Sequence, residues 1–155
     1  MNKLHFLRFR ATDAWLSRDR GYDSIIETTE DGRILLRCLV DGVPYSIPID
    51  EESFIESIAK FPWEDWNDKH YDLNGEDGWV WSIDISWDDK VYRTGGHGVF
   101  PDRMEEFVAV LHDMGMKKSN GAFFAKRDRL SLAQKQKMSL CVGTFNDPAW
   151  PVYYL

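Results

Sequence analysis

Apolar residues recur most regularly along this chain at a spacing of two. Trp79, Trp81, Ile83, Ile85 and Trp87 alternate with Val80, Ser82, Asp84 and Ser86. That pattern gives a β-strand with one indole-rich face for burial and one Ser/Asp face for water. Asp88-Asp89 makes a tight turn, and Lys90 to Thr94 returns as the antiparallel partner. Upstream, Ile34, Leu36, Cys38 and Val40 share a face, Asp41-Gly42 marks a hairpin, and Val43, Tyr45, Ile47 and Ile49 continue at period two. Pro44 and Pro48 interrupt that last run, and a proline cannot donate to a ladder, so this strand reads as short or as an edge. Lys3 to Arg10 and Asp23 to Thr29 complete the set of early strands, although both faces of the first are partly apolar.

The period turns helical twice. Asp50-Glu51-Glu52-Ser53 opens a helix with acids in the first turn, where the helix dipole favours them. Phe54, Ile55 and Ile58 form its stripe, and Phe61-Pro62 ends it. A second helix runs from Pro101 or Asp102 to Met114, with Met104, Phe107, Val108 and Leu111 as its stripe and Gly115 as its C-terminal cap. Between the two, residues 62–78 read as a long polar loop with one short turn of helix. Residues 121–138 read as a third, basic helix and 138–144 as a last strand. The predicted fold is α+β: an antiparallel sheet of about five to six strands with two or three helices packed on one face. The whole chain, 1–155, is expected to be one domain, with 116–155 a basic and then aromatic extension packed on the core.

Composition agrees with a globular protein, at 43% apolar and 14% aromatic. Cys38 and Cys141 make no disulfide framework and read as reduced, buried thiols. No apolar stretch approaches the roughly 18 residues of a membrane span, and the first residues show no cleavage pattern of a leader, so a cytoplasmic setting is expected.

Charge changes the picture more. The net charge is −7, but residues 117–137 carry Lys117, Lys118, Lys126, Arg127, Arg129, Lys135 and Lys137 against Asp128 alone. The rest of the chain is strongly acidic, above all between Glu51 and Asp102. Such a body repels nucleic acid and suits a basic protein surface. The basic segment is the one feature that could touch phosphates.

No residue set carries a recognisable reaction. Gly95, Gly96 and Gly98 lack the order and the Lys-Ser/Thr of a phosphate loop, and read as tight-turn glycines. His5, His70, His97 and His112 are scattered without metal-ligand spacing, although Asp68, His70 and Asp72 have the composition of a half-site. His97, between glycines, is the best candidate for a functional imidazole. Glu64, Asp65, Asp68, Asp72, Glu76 and Asp77 crowd one loop without the order of a calcium site. Trp63 and Trp66 in that loop suit recognition, because an indole covers a large area and still offers an N–H. The candidate binding residues are therefore Trp63, Glu64, Asp65, Trp66, Asp68 and His97, with no catalytic set, metal or cofactor.

The stretch GWVWSIDISWDDKVYRTGGHGVFPDRMEEFVAVL, with DGRILLRCLVDGVPYSIPIDEESFIESI before it, resembles a recurring pattern in small bacterial α+β domains. That pattern is a W-x-I-x-I hairpin, a small-residue loop and an aromatic-Pro helix start. The resemblance implies the fold and brings no activity with it.

The function expected from these features is a non-enzymatic protein-binding module, of the immunity or inhibitor type, that masks a partner with a basic surface, acting as monomer or homodimer away from membranes. Two alternatives are a nucleic-acid-associated protein using residues 117–137, and a small hydrolase using His97 with loop carboxylates.

Overall fold

The computed structural model describes residues 3–12, 20–72, 79–120 and 143–144. The strands are β1 (Leu4–Thr12), β2 (Gly21–Thr28), β3 (Ile34–Val40), β4 (Val43–Ile49), β5 (Lys69–Asp72), β6 (Val80–Trp87), β7 (Lys90–His97) and the two-residue β8 (Gly143–Thr144). The helices are α1 (Glu51–Ala59), α2 (Trp63–Trp66) and α3 (Met104–Met114). One sheet contains every strand, in the order β4-β3-β2-β1-β6-β7-β5-β8.

The tryptophan strand β6 sits between β1 and β7, so its alternation is fully used. Trp81, Ile83, Ile85 and Trp87 are buried on the helical side, while Ser82, Asp84 and Ser86 lie half-buried on the other. Burying each such side chain contributes about 1.5–3 kcal/mol. Phe9 of β1 meets Phe107 of α3 edge-on at 6.0 Å between ring centroids, which places α3 over the middle of the sheet. The two apolar faces of β1 have a local cause. A register shift between Leu4 and Phe6 inserts His5, so that Leu4 and Leu7 are both buried although they stand three apart.

Both short turns form. Asp41 and Gly42 adopt φ of 49° and 79°, the left-handed pair that a two-residue hairpin needs, and Val40 faces Val43. Asp88 closes the β6–β7 turn and also ties it to the first strand, donating its N–H to the Lys3 carbonyl and accepting the Lys3 N–H at its carboxylate.

The sheet differs from expectation in two respects. It has seven strands of four residues or more, and it is mixed, because β5 runs parallel to β7. β5 arises inside the stretch read as a polar loop. Its four residues are too few for an alternation signal, and its partner is remote in sequence. The pairing depends on Gly96, where an added Cβ would lie 2.2 Å from the Tyr71 carbonyl oxygen and 2.9 Å from Trp81 Nε1.

The helices match their stripes. Asp50 caps α1 by accepting the Ser53 N–H at 3.0 Å, and Phe54, Ile55 and Ile58 are buried. α3 begins later than expected, after Arg103 at φ 71°. Arg103 is turned back there, its guanidinium donating to the Lys60 carbonyl at 2.9 Å and lying 5.1 Å from the centre of the Phe61 ring. The third, basic helix expected over 121–138 lies outside the described residues. Of the last strand, only Gly143–Thr144 is described, as β8 beside Lys69 and His70. Among the described residues, no helix is long and apolar enough to cross a membrane.

Candidate functional site

The six residues expected to bind a partner divide into three places. Trp63 and Trp66 are in the core, at 4% and 3% exposure, and not in a wet loop. α2 turns both indoles inward. Trp63 meets Trp66, Trp87 and Phe107 edge-on at 5.3, 5.6 and 5.6 Å, and its N–H donates to the Ile58 carbonyl at 2.9 Å. The physical reason is that the loop folds as a helical turn against the sheet, where two indoles bury more apolar area than any other residues of the segment.

Glu64, Asp65 and Asp68 face outward from the same segment. Glu64 accepts the Tyr92 hydroxyl and lies 3.7 Å from Lys90 Nζ. Burial and then the Glu64 carboxylate push the Tyr92 hydroxyl up, while Tyr92 and Glu64 hold the Lys90 ammonium above its ordinary value. Asp68 takes a left-handed φ of 58° and donates its N–H to the Arg93 carbonyl at 2.7 Å, which fixes the acidic turn to β7.

His97 stands at the other end of β7, about 13 Å further along the strand from Arg93 at strand rise. The parallel register sets it beside Asp72, and the antiparallel one beside Val80. Its Nδ1 is 4.0 Å from the Asp72 carboxylate, and its Nε2 is buried with no hydrogen-bond partner among the described residues. His97 near a loop carboxylate was one of the sequence alternatives; which carboxylate it is depends on β5 pairing with β7. His70, the register neighbour of Gly95, is buried at 4%. Among the described residues, no group of three or more His, Cys, Asp or Glu is placed to hold a metal ion.

The two sides of the sheet differ in electrostatic character. On the side away from the helices, cross-strand neighbours neutralise one another. Arg8 grips Asp23 through two bonds of 3.0 and 2.8 Å, Arg37 meets Glu27 at 2.8 Å, and Arg93 meets Asp84 at 2.7 Å. Arg8 is held above its ordinary value chiefly by the Asp23 hydrogen bonds, whereas burial and the charge of Arg8 pull Arg10 below it. Among the described residues, the helical side is not balanced. Residues 50–68 carry Asp50, Glu51, Glu52, Glu56, Glu64, Asp65 and Asp68 against Lys60, and residues 101–115 carry Asp102, Glu105, Glu106 and Asp113 against Arg103. Most of these acids are exposed. The excess follows from amphipathic patterning: the stripes face the sheet, and the opposite faces of α1 and α3 carry Glu and Asp.

A third feature was read from sequence only as a turn. Asp41 accepts the Gly21 N–H at 2.8 Å, the Ser119 hydroxyl at 2.6 Å and the Asn120 N–H at 2.6 Å. Burial opposes ionisation of this carboxyl, but those bonds and the charge of Arg20 hold it below the usual carboxylate range.

No protein-family model, no curated protein and no solved structure matches the chain.

Proposed function

We propose that this protein is a non-enzymatic binding module that covers a basic surface on another protein with its acidic helical layer, in the manner of an immunity or inhibitor protein. The observation that carries this reading is the imbalance between the two sides. Among the described residues, the ion pairs on the sheet face away from the helices consume their own charges, whereas the helical side keeps a large acidic excess. An excess of one sign on a fixed surface accelerates encounter with a partner of the opposite sign and rejects nucleic acid. Trp63 and Trp66 serve this role from behind, by anchoring α2 so that Glu64 and Asp65 are presented outward. The test is capture of the tagged protein from its native cells. A basic protein retained in stoichiometric amount and released by salt supports the reading; retained nucleic acid, or nothing at all, counts against it.

One observation favours a second reading. An imidazole with a carboxylate near one nitrogen and a buried second nitrogen without a partner among the described residues has the form of an acid–base pair, as His97 and Asp72 do. Hydrolysis of simple esters by the native chain and not by His97→Gln supports that reading, and absence of turnover ends it.

A further inference from the structure

Beyond Gly115 the chain leaves α3 and runs back along the ends of β2, β3 and β4. Gly115 itself takes φ 125°, and an added Cβ there would lie 2.4 Å from Ile47 Cδ1, so the exit path is narrow. The next five residues are fastened by one core side chain, Met116, whose N–H also donates to the Leu111 carbonyl at 3.0 Å, and by a series of polar contacts. Met116 accepts the Ser24 hydroxyl at its sulfur at 3.1 Å. The Lys117 N–H donates to the Tyr45 hydroxyl at 2.5 Å, and the Lys117 ammonium lies 5.2 Å from the centre of that ring. The Ser119 N–H donates to the Tyr22 hydroxyl at 2.8 Å, and Asp41 takes the Ser119 hydroxyl and the Asn120 N–H. Only Met116 is buried; Lys117, Lys118 and Asn120 are exposed. A five-residue segment with one buried side chain, held otherwise by part-buried and exposed hydrogen bonds, opens at lower cost than the paired strands beneath it.

What lies beneath is specific. Ser24 and Tyr45, which grip Met116 and Lys117, are the two cross-strand register neighbours of Cys38. Cys38 is 4% exposed, and burial pushes its thiol up from its ordinary value. Asp41 stands at the hairpin that joins β3 to β4, and it holds both the start of β2 and the far end of the segment.

We propose that residues 116–120 form a latch, keyed by the Asp41 carboxylate, whose opening uncovers the Cys38 thiol while the sheet stays folded.

The test uses the full chain with Cys141→Ser, so that Cys38 is the only thiol. Its rate of reaction with a disulfide reagent is followed at rising urea below the unfolding transition. A latch gives labelling with a shallow urea dependence, because opening exposes little surface. Asp41→Asn keeps the left-handed turn, which asparagine tolerates, but removes the charge and one acceptor. It raises the labelling rate about tenfold. Should that variant not fold, Ser119→Ala removes a single bond and is read in the same way, with a smaller rise. Labelling that follows the full urea slope of global unfolding, or a rate that the substitution leaves unchanged, overturns the proposal.

Discussion

The indole N–H of Trp81 donates to the carbonyl of Val99 at 2.7 Å, and both residues are buried. The bond fixes the centre of the sheet to the loop that enters α3, and it explains how a polar atom is tolerated on the most apolar strand face of the chain. Trp81→Phe keeps an aromatic ring but leaves the Val99 carbonyl without its donor and a void beside Phe100. The expected cost is about 2–4 kcal/mol in urea unfolding, with no change in far-ultraviolet dichroism. A cost below about 1 kcal/mol would show that the loop is held by other contacts.

Several buried tyrosines contribute to the behaviour at high pH, and Tyr71 and Tyr45 are shifted furthest. Burial raises the Tyr71 hydroxyl to about 12, and burial likewise raises that of Tyr45 to about 12. A hydroxyl whose folded value lies above its unfolded value stabilises the fold fully below the unfolded value, about 10. That contribution is lost as pH rises from there through the folded value. Stability should therefore fall between pH about 10 and 12, and Tyr71→Phe should flatten the fall. Phenolate absorbance checks it: part of the tyrosine signal should appear late, and Tyr71→Phe should remove a share of that late part.

Pro44 and Pro48 lie on β4, the edge strand of the sheet, opposite Leu39 and Leu35. Each removes a donor that another chain could use for pairing. Pro44→Thr with Pro48→Thr restores both donors and strand propensity on an exposed edge that includes Val43, itself 57% exposed. The double variant should associate with rising concentration in light scattering, while the native chain keeps a constant mass. Equal behaviour of the two would mean that the edge is protected by something else.

Patterns confined to neighbouring residues were legible in the sequence. The β6 alternation, the Asp41-Gly42 hairpin, the helix start at Asp50–Ser53 and the stripes of α1 and α3 each lie within one window, and each forms as read. What escaped depends on pairing at a distance. β5 is four residues long and pairs parallel with a strand that begins after the whole of β6, so its existence leaves no local trace, and of the loop carboxylates weighed beside His97 nothing local singled out Asp72. Trp63 and Trp66 read as wet because Glu64 and Asp65 stand between them. A single helical turn is too short to show which of its sides is buried, and tertiary packing decided it. The Asp41 hub was hidden for a similar reason: its turn role is local, whereas its bonds to Ser119 and Asn120 reach 78 and 79 residues along the chain.

The sharpest test of the binding account changes the sign of the helical side and nothing beneath it. Glu56, Asp65 and Glu105 are all exposed, so Glu56→Lys/Asp65→Lys/Glu105→Lys leaves the core untouched. Native and reversed chains, matched for thermal melting, are used side by side to capture partners from the native cells at low and moderate salt. The account predicts that the native chain retains a basic protein in stoichiometric amount and that the reversed chain retains at least about tenfold less. Equal retention by both chains, or a partner whose capture is indifferent to salt, would contradict it.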